Sequence, residues 1–250
     1  MGLKSRLASG TTARGVISPI AHPSLVEVAS RSRLDFYLLD GELGAISPSD
    51  SDACILAAGA LGMPLIVRVP CNESAIIGQY LNSGASGIVV PHVSSAPAAK
   101  KAVSSARYYP DGDRGIGPCR ANDYAIETSL LEHTRTANEE TFVMVQIEDA
   151  KGVDNCDEIA SVAGVDAILV GPNDLALDMG CLGAPDQSAL DEAIEHIMAT
   201  ARARGVPVCL PATGHIHGVA APDRGARMVL TSLLSLIYRG MSSFAEPGEK

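Results

Sequence analysis

Eight short apolar runs, each followed by a stretch with helical spacing, constrain the fold of this chain more than any other feature. The runs are RGVISPI (14–20), DFYLLDGE (35–42), PLIVRVP (64–70), SGIVVPHV (86–93), FVMVQIE (142–148), DAILVG (166–171), PVCLPA (207–212) and ARMVLTS (226–232). The intervening stretches carry helix signals. SPSDSDACILAAGALG opens on Ser, Pro and Asp and closes at Gly62, while SAPAAKKAVSSARYY and QSALDEAIEHIMATARARG repeat their apolar residues at helical intervals. A run made almost wholly of Val, Ile and Leu has no polar face to offer water. It belongs in a parallel sheet covered by helices. Eight such units in 250 residues predict an α/β fold, a closed (β/α)8 TIM barrel forming one domain over 1–250. An open doubly wound sheet has less support, because no GxGxxG loop opens the first helix.

Composition narrows the class of partner. Aromatics make up 4% of the chain and tryptophan is absent, so the core is aliphatic. A net charge of −10 with no basic stripe speaks against nucleic acid. The cysteines at 54, 71, 119, 156, 181 and 209 form no CxxC pair and read as reduced thiols of a cytosolic protein rather than a disulfide frame. MGLKSRLASG has no apolar signal core, and no run approaches the ~18–20 apolar residues of a membrane span. The expectation is a cytoplasmic location with no membrane partner. The longest irregular stretch, YPDGDRGIGPCRANDY (109–124), reads as an active-site wall or else as a surface excursion.

In a barrel of this kind the chemistry sits where the strands end. Polar residues gather there: Asp40 and Glu42 after the second run, Arg68 in the third, His92 at the fourth, Gln146 and Glu148 at the fifth, Asn173 and Asp174 after the sixth. Glu148 and Asp174 follow consecutive strands and are expected side by side. Two ionised carboxylates so placed repel each other unless a cation lies between them. A hard divalent ion held by one or two carboxylates, with water and substrate completing its shell, meets that need. The competing reading is that each acid caps the helix that follows it. Arg68 is costly to bury unless it meets an anion, either Glu42 or another internal acid, or a substrate oxygen that becomes negative during reaction. His92 has an imidazole suited to acid–base work, or else bonds a neighbouring strand. His215 and His217 in TGHIHG have the spacing of a zinc site without a third ligand nearby and read as loop residues.

The segments DFYLLDGELG, PLIVRVPCNE, GIVVPHV, ARYYPDGDRGIG, VQIEDAKGVDNCDEI and GVDAILVGPNDLALDMG together resemble the HpcH/HpaI aldolase/citrate lyase family of metal-dependent pyruvate-type aldolases. The resemblance covers nearly the whole chain. It implies a divalent metal held by Glu148 and Asp174, with Mg²⁺ in the first place and Mn²⁺ or Co²⁺ as alternatives. It also implies a 2-oxo acid chelated through its carboxylate and keto oxygens, Arg68 on the keto oxygen, and Gln146 beside the metal. The reaction implied is carbon–carbon lyase chemistry through the metal-bound enolate of a pyruvate- or oxaloacetate-type acid, with an aldehyde or acyl-CoA as second partner. A homohexamer is implied as well, with the C-terminal helix (233–246) exchanged between neighbours; the apolar tail LLSLIYRGMSSF fits that, and fits packing on its own barrel equally.

One departure stands out. Such aldolases read EHG where this chain has Glu42-Leu43-Gly44, and the acid paired with that histidine falls here on Asn82. The metal half of the site is kept and the proton-transfer half is lost, so His92 is the candidate replacement. Two further readings stay open: condensation of oxaloacetate with acetyl-CoA, as in citrate synthases of siderophore pathways that resemble this family, and a non-catalytic protein that binds a 2-oxo acid.

Overall fold

The computed structural model describes residues 2–212 and 224–245. Each of the eight apolar runs is a strand: β1 (Ala13–Ser18), β2 (Phe36–Asp40), β3 (Leu65–Arg68), β4 (Gly87–Val90), β5 (Phe142–Ile147), β6 (Ala167–Val170), β7 (Val208–Pro211) and β8 (Met228–Ser232). They close into a parallel barrel in chain order, with β8 pairing back to β1. Successive side chains alternate between the two faces of this wall. Val16, Leu39, Val67, Val90, Val145 and Val170 point outward and pack against the helices. Phe36, Leu38, Ile66, Met144, Leu169 and Leu230 point inward.

The helices are α1 (Leu3–Ala8), α2 (Pro23–Arg31), α3 (Pro48–Leu61), α4 (Ser74–Asn82), α5 (Ala96–Ala106), α6 (Leu130–Glu140), α7 (Ala150–Asp154), α8 (Cys156–Ala160), α9 (Pro172–Asp178), α10 (Ser188–Ala203) and α11 (Leu233–Ala245). Local chemistry fixes the limits of α3. Ser47 and Asp50 form a reciprocal capping box at its start, and Gly62 takes the left-handed conformation that ends it. Helix α1 closes the N-terminal end of the barrel, placing Leu3 and Leu7 in one cluster with Ala13, Phe36, Phe142 and Met228. Ion pairs Lys4–Asp166 (3.0 Å) and Arg6–Asp35 (2.9 Å) tie it down. Inside the barrel, glycine makes room for rings. A Cβ on Gly15 would lie 2.4 Å from the Phe36 ring, and one on Gly87 would lie 2.2 Å from the Phe142 carbonyl oxygen.

The 109–124 segment runs along the flank of the barrel rather than its mouth. Arg114 bonds Asn82 at the end of α4 (2.8 Å), Arg120 pairs with Asp52 of α3, and Asp111 accepts from Asn138 of α6. A cleft of about 460 Å³ between α3, α4 and this segment is lined by Ser49, Asp52, Gln79, Asn82, Arg120 and Tyr124 among others, and includes no strand-end residue. The expectation of an active-site wall therefore gives way to the surface alternative. The segment's arginines find their partners on the outer helices. None of the described helices is long and apolar enough to cross a membrane.

Candidate active site at the barrel mouth

Strand alternation delivers the site. On β2 the inward residues run Phe36, Leu38, Asp40, and on β3 they run Ile66, Arg68, with Asp40 and Arg68 in register. On β5 Phe142 and Met144 lead to Gln146, and Glu148 continues the alternation just beyond the strand's end. Apolar layers fill the barrel, so only the last inward position of each strand is free to be polar.

Arg68 is 8% exposed, which obliges its charge to be paired. Nε and Nη2 grip the two carboxylate oxygens of Asp40 at 2.9 and 2.8 Å. Nη1 meets Glu42 Oε2 at 3.0 Å and donates to Gln146 Oε1 at 3.3 Å. Burial pulls the guanidinium pKa down, but the bonds and charge of Asp40, with the charges of Glu42 and Glu148, together outweigh it and leave the value raised. Asp40 Oδ1 also accepts the backbone N–H groups of Glu42 (3.2 Å) and Leu43 (3.3 Å), so one carboxylate shapes both the arginine and the turn carrying Glu42. Gly44 suits that turn because a Cβ there would lie 2.4 Å from the Asp40 carbonyl oxygen. Of the partners expected for Arg68, the internal acids are present: Glu42 and, closer, Asp40.

Glu148 turns inward rather than capping the next helix. Asp149 caps α7 instead, accepting from the Gly152 N–H at 2.5 Å. Glu148 Oε1 takes the backbone N–H of His92 at 2.7 Å and lies 3.0 Å from His92 Nδ1, while Oε2 accepts from Gln146 Nε2. Gln146 therefore links Arg68 to Glu148 by accepting with its oxygen and donating with its nitrogen. Gly171 packs directly on this carboxylate, since a Cβ there would lie 2.8 Å from both Glu148 Cβ and Oε2.

His92 bridges two acids. Its backbone is left-handed (φ +54°), and its ring places Nε2 3.1 Å from Glu42 Oε1 and Nδ1 3.0 Å from Glu148 Oε1. A neutral imidazole has one N–H, so two hydrogen bonds to carboxylates require a second proton within the group. Burial first pushes Glu42 and Glu148 above the ordinary carboxyl value, and the charge of Glu148 adds to this at Glu42 and that of Asp174 at Glu148. The mouth is therefore built to hold an extra positive charge. Glu42, His92 and Glu148 each offer a ligand atom within 4.8 Å of one another, and two carboxylates with an imidazole are a donor set that suits a divalent cation.

Asp174 lies in the first turn of α9, a helix whose N-cap is Gly171, so it stands beyond β6 rather than on its last residue. Asn173 and Asp174 are exposed, and the Asp174 charge acts on Glu148, raising its pKa. No side-chain cap bond forms at the start of α9. His215 and His217 lie outside the described residues. Two features went unread in the sequence: the bidentate hold of Asp40 on Arg68, and the place of Glu42 beside His92 and Glu148. The register of β2 with β3 carries the first, and the second depends on the turn that Asp40 shapes.

Comparison with known proteins bears on the family of the chain. The family model for HpcH/HpaI aldolase/citrate lyase matches residues 14–215. This chain belongs to that family. A hydroxypyruvate/pyruvate aldolase of Roseovarius nubinhibens is 37% identical over 208 residues, 81% of this chain and 78% of that one. A 5-keto-4-deoxy-D-glucarate aldolase of Citrobacter koseri is 36% identical over 205 residues, 82% of this chain and 79% of that one. Among solved structures, the citrate synthase SbnG superposes with a TM-score of 0.85 at 31% identity, covering 98% of this chain and 96% of that one. An HpcH/HpaI aldolase from Desulfitobacterium hafniense DCB-2 superposes with a TM-score of 0.88 at 29% identity, covering 99% and 98%.

Within this HpcH/HpaI member, the position after Glu42 is a leucine that is 77% exposed at the mouth and cannot transfer a proton. Asn82, a neutral amide, faces the buried Arg114 guanidinium on the flank.

Proposed function

We propose that this protein makes or breaks the carbon–carbon bond between the carbon next to the keto group of a 2-oxo acid of pyruvate or oxaloacetate type and its neighbour beyond. The observation that carries the reading is Arg68. It is a buried guanidinium clamped by Asp40, with Nη1 on Glu42 and Gln146, and Gln146 in turn on the carboxylate of Glu148. With its fork held by Asp40, the guanidinium's Nη1 is fixed as a donor suited to a keto oxygen that gains negative charge as an enolate develops.

Glu148 and Asp174 would hold a divalent cation, with Glu42 and His92 beside them, and such an ion would polarise the substrate's keto oxygen. The protein's own groups do the rest. Asn173 and Asp174, in the first turn of α9, flank the substrate, and Gln146 keeps Arg68 and Glu148 in fixed relation. In cleavage, the Glu42–His92 pair takes the proton of the substrate's hydroxyl and the carbon–carbon bond breaks. The electron pair passes to the enolate oxygen facing Arg68, and an aldehyde leaves. Returning a proton to carbon then gives the 2-oxo acid. His92 stands in for the histidine that Leu43 replaces by holding Glu42, the carboxylate that accepts the proton.

A second reading is condensation of oxaloacetate with acetyl-CoA. The superposition on the citrate synthase SbnG and the leucine at 43 favour it. The two separate in one assay series with Mg²⁺, Mn²⁺ or Co²⁺. Release of pyruvate from 4-hydroxy-2-oxo acids supports the aldolase, and thiol release from acetyl-CoA with oxaloacetate supports the synthase. Metal-dependent binding of a 2-oxo acid with neither activity leaves a binding protein.

The assembly we propose is a homohexamer in which α11 is exchanged between neighbours. On α11 only Leu233 is buried, while Tyr238, Met241 and Phe244 stand exposed. The proposed location is the cytoplasm.

A further inference from the structure

We infer that His92 is itself a ligand of the cation, so that the mouth selects ions that accept imidazole, cobalt(II) and zinc(II), over magnesium. This inference rests on the metal-dependent reading above and deepens it by naming the class of ion. Three observations converge on the ring.

The first is distance. Ligand atoms at right angles on one ion, with bonds of ~2.1 Å, lie about 3 Å apart. His92 Nδ1 lies 3.0 Å from Glu148 Oε1, which is that separation. The second is the partner of the other ring nitrogen. A ligating histidine commonly donates its second N–H to a carboxylate, which fixes the tautomer and strengthens the donor. His92 Nε2 is 3.1 Å from Glu42 Oε1, and Glu42 is in turn held by Arg68 Nη1 at 3.0 Å. An ion at the Nδ1 side would replace the second proton there, with the ring's own proton kept on Nε2 toward Glu42.

The third observation is the backbone. A left-handed φ of +54° at a residue with a Cβ carries a cost. In this conformation the same residue gives its backbone N–H to Glu148 Oε1 at 2.7 Å and presents its ring to that oxygen as well. The side chain is 66% exposed, so packing does not hold it in place; its polar contacts do. Magnesium prefers all-oxygen shells, whereas an imidazole donor shifts preference toward cobalt and zinc.

The test is calorimetric titration of the metal-stripped full-length protein with CoCl₂, ZnCl₂ and MgCl₂, together with the visible absorption of the cobalt form. Wild type is expected to bind Co²⁺ and Zn²⁺ about a hundredfold more tightly than Mg²⁺. His92→Ala should weaken Co²⁺ and Zn²⁺ binding roughly tenfold or more, with Mg²⁺ changed by less than about threefold. His92→Asn tolerates the left-handed backbone and swaps nitrogen for oxygen. It should move the cobalt bands and lose the preference while the thermal midpoint is kept. Unchanged cobalt spectrum and affinity in both variants, or equal affinity of wild type for Mg²⁺ and Co²⁺, overturns the assignment of His92 alone. Failure of wild type to bind any of the three ions overturns the metal-dependent reading itself.

Discussion

Arg68 is nearly sealed from water and meets two carboxylates and an amide oxygen, so each of its contacts has a measurable consequence. A lysine at 68 would place a point charge where the fork now spans both Asp40 oxygens. We expect Arg68→Lys to lower turnover by roughly 10²–10³-fold, the cost of removing one fixed donor to a developing oxyanion, as read by steady-state kinetics. Gly171→Ala should act from the other side, because its new Cβ would stand 2.8 Å from Glu148 Oε2. The expected result is metal affinity about tenfold weaker by calorimetry, together with a loss of about 1 kcal/mol in stability from the overpacked Glu148. Glu42 and Glu148 both have folded pKa values raised above 4.5, by burial before any other cause. Each binds more protons folded than unfolded between 4.5 and its raised value. Their contribution to stability is therefore full below that window and is lost as pH climbs through it. In chelator-treated protein the thermal midpoint of wild type should fall with rising pH relative to that of Glu148→Gln, and saturating divalent cation should remove the difference. At this scale the sequence was half legible. Glu148 follows from alternation two places past Gln146, whereas the left-handed turn that brings His92 onto Glu148 left no local mark.

The strands are the elements most readable in the sequence, because burial on both faces forces a run of Val, Ile and Leu whatever surrounds it. Even four-residue strands such as β3 (LIVR) and β6 (AILV) lie within runs recognisable from the sequence. The stretch 109–124 was not resolvable in the same way. Its arginines fit a substrate wall as well as a flank, and only the positions of Asn82 on α4 and Asp52 on α3 decide between them. Asp174 illustrates a smaller shift, from a strand's end to the first turn of the following helix, since Pro172 starts α9 directly after Gly171. Inside the barrel, Gly87 gives the element-level prediction. Gly87→Ala would drive a methyl into the Phe142 carbonyl across the β4–β5 pair. A loss of about 3 kcal/mol in denaturant unfolding is expected, with metal affinity in the surviving folded protein unchanged.

For the molecule as a whole, the barrel separates stability from chemistry along its axis. Helix α1 closes one end with Leu3 and Leu7, apolar layers fill the middle, and the charged residues among the barrel's inward-facing positions lie at the other end. The chain carries a net charge of −10, so an anionic 2-oxo acid meets repulsion from the molecule at large. Capture therefore depends on local positive charge at the mouth, from Arg68 and from the cation that Glu148 and its neighbours would hold. The central claim is that these two act together on an enolate. The direct measurement is deuterium entry into the methyl group of pyruvate in D₂O, followed by NMR with the cobalt-loaded protein. The account predicts exchange that stops on chelation and drops at least about a hundredfold in both Glu148→Ala and Arg68→Lys. Exchange that persists without a divalent cation, or at the wild-type rate in Arg68→Lys, would contradict it.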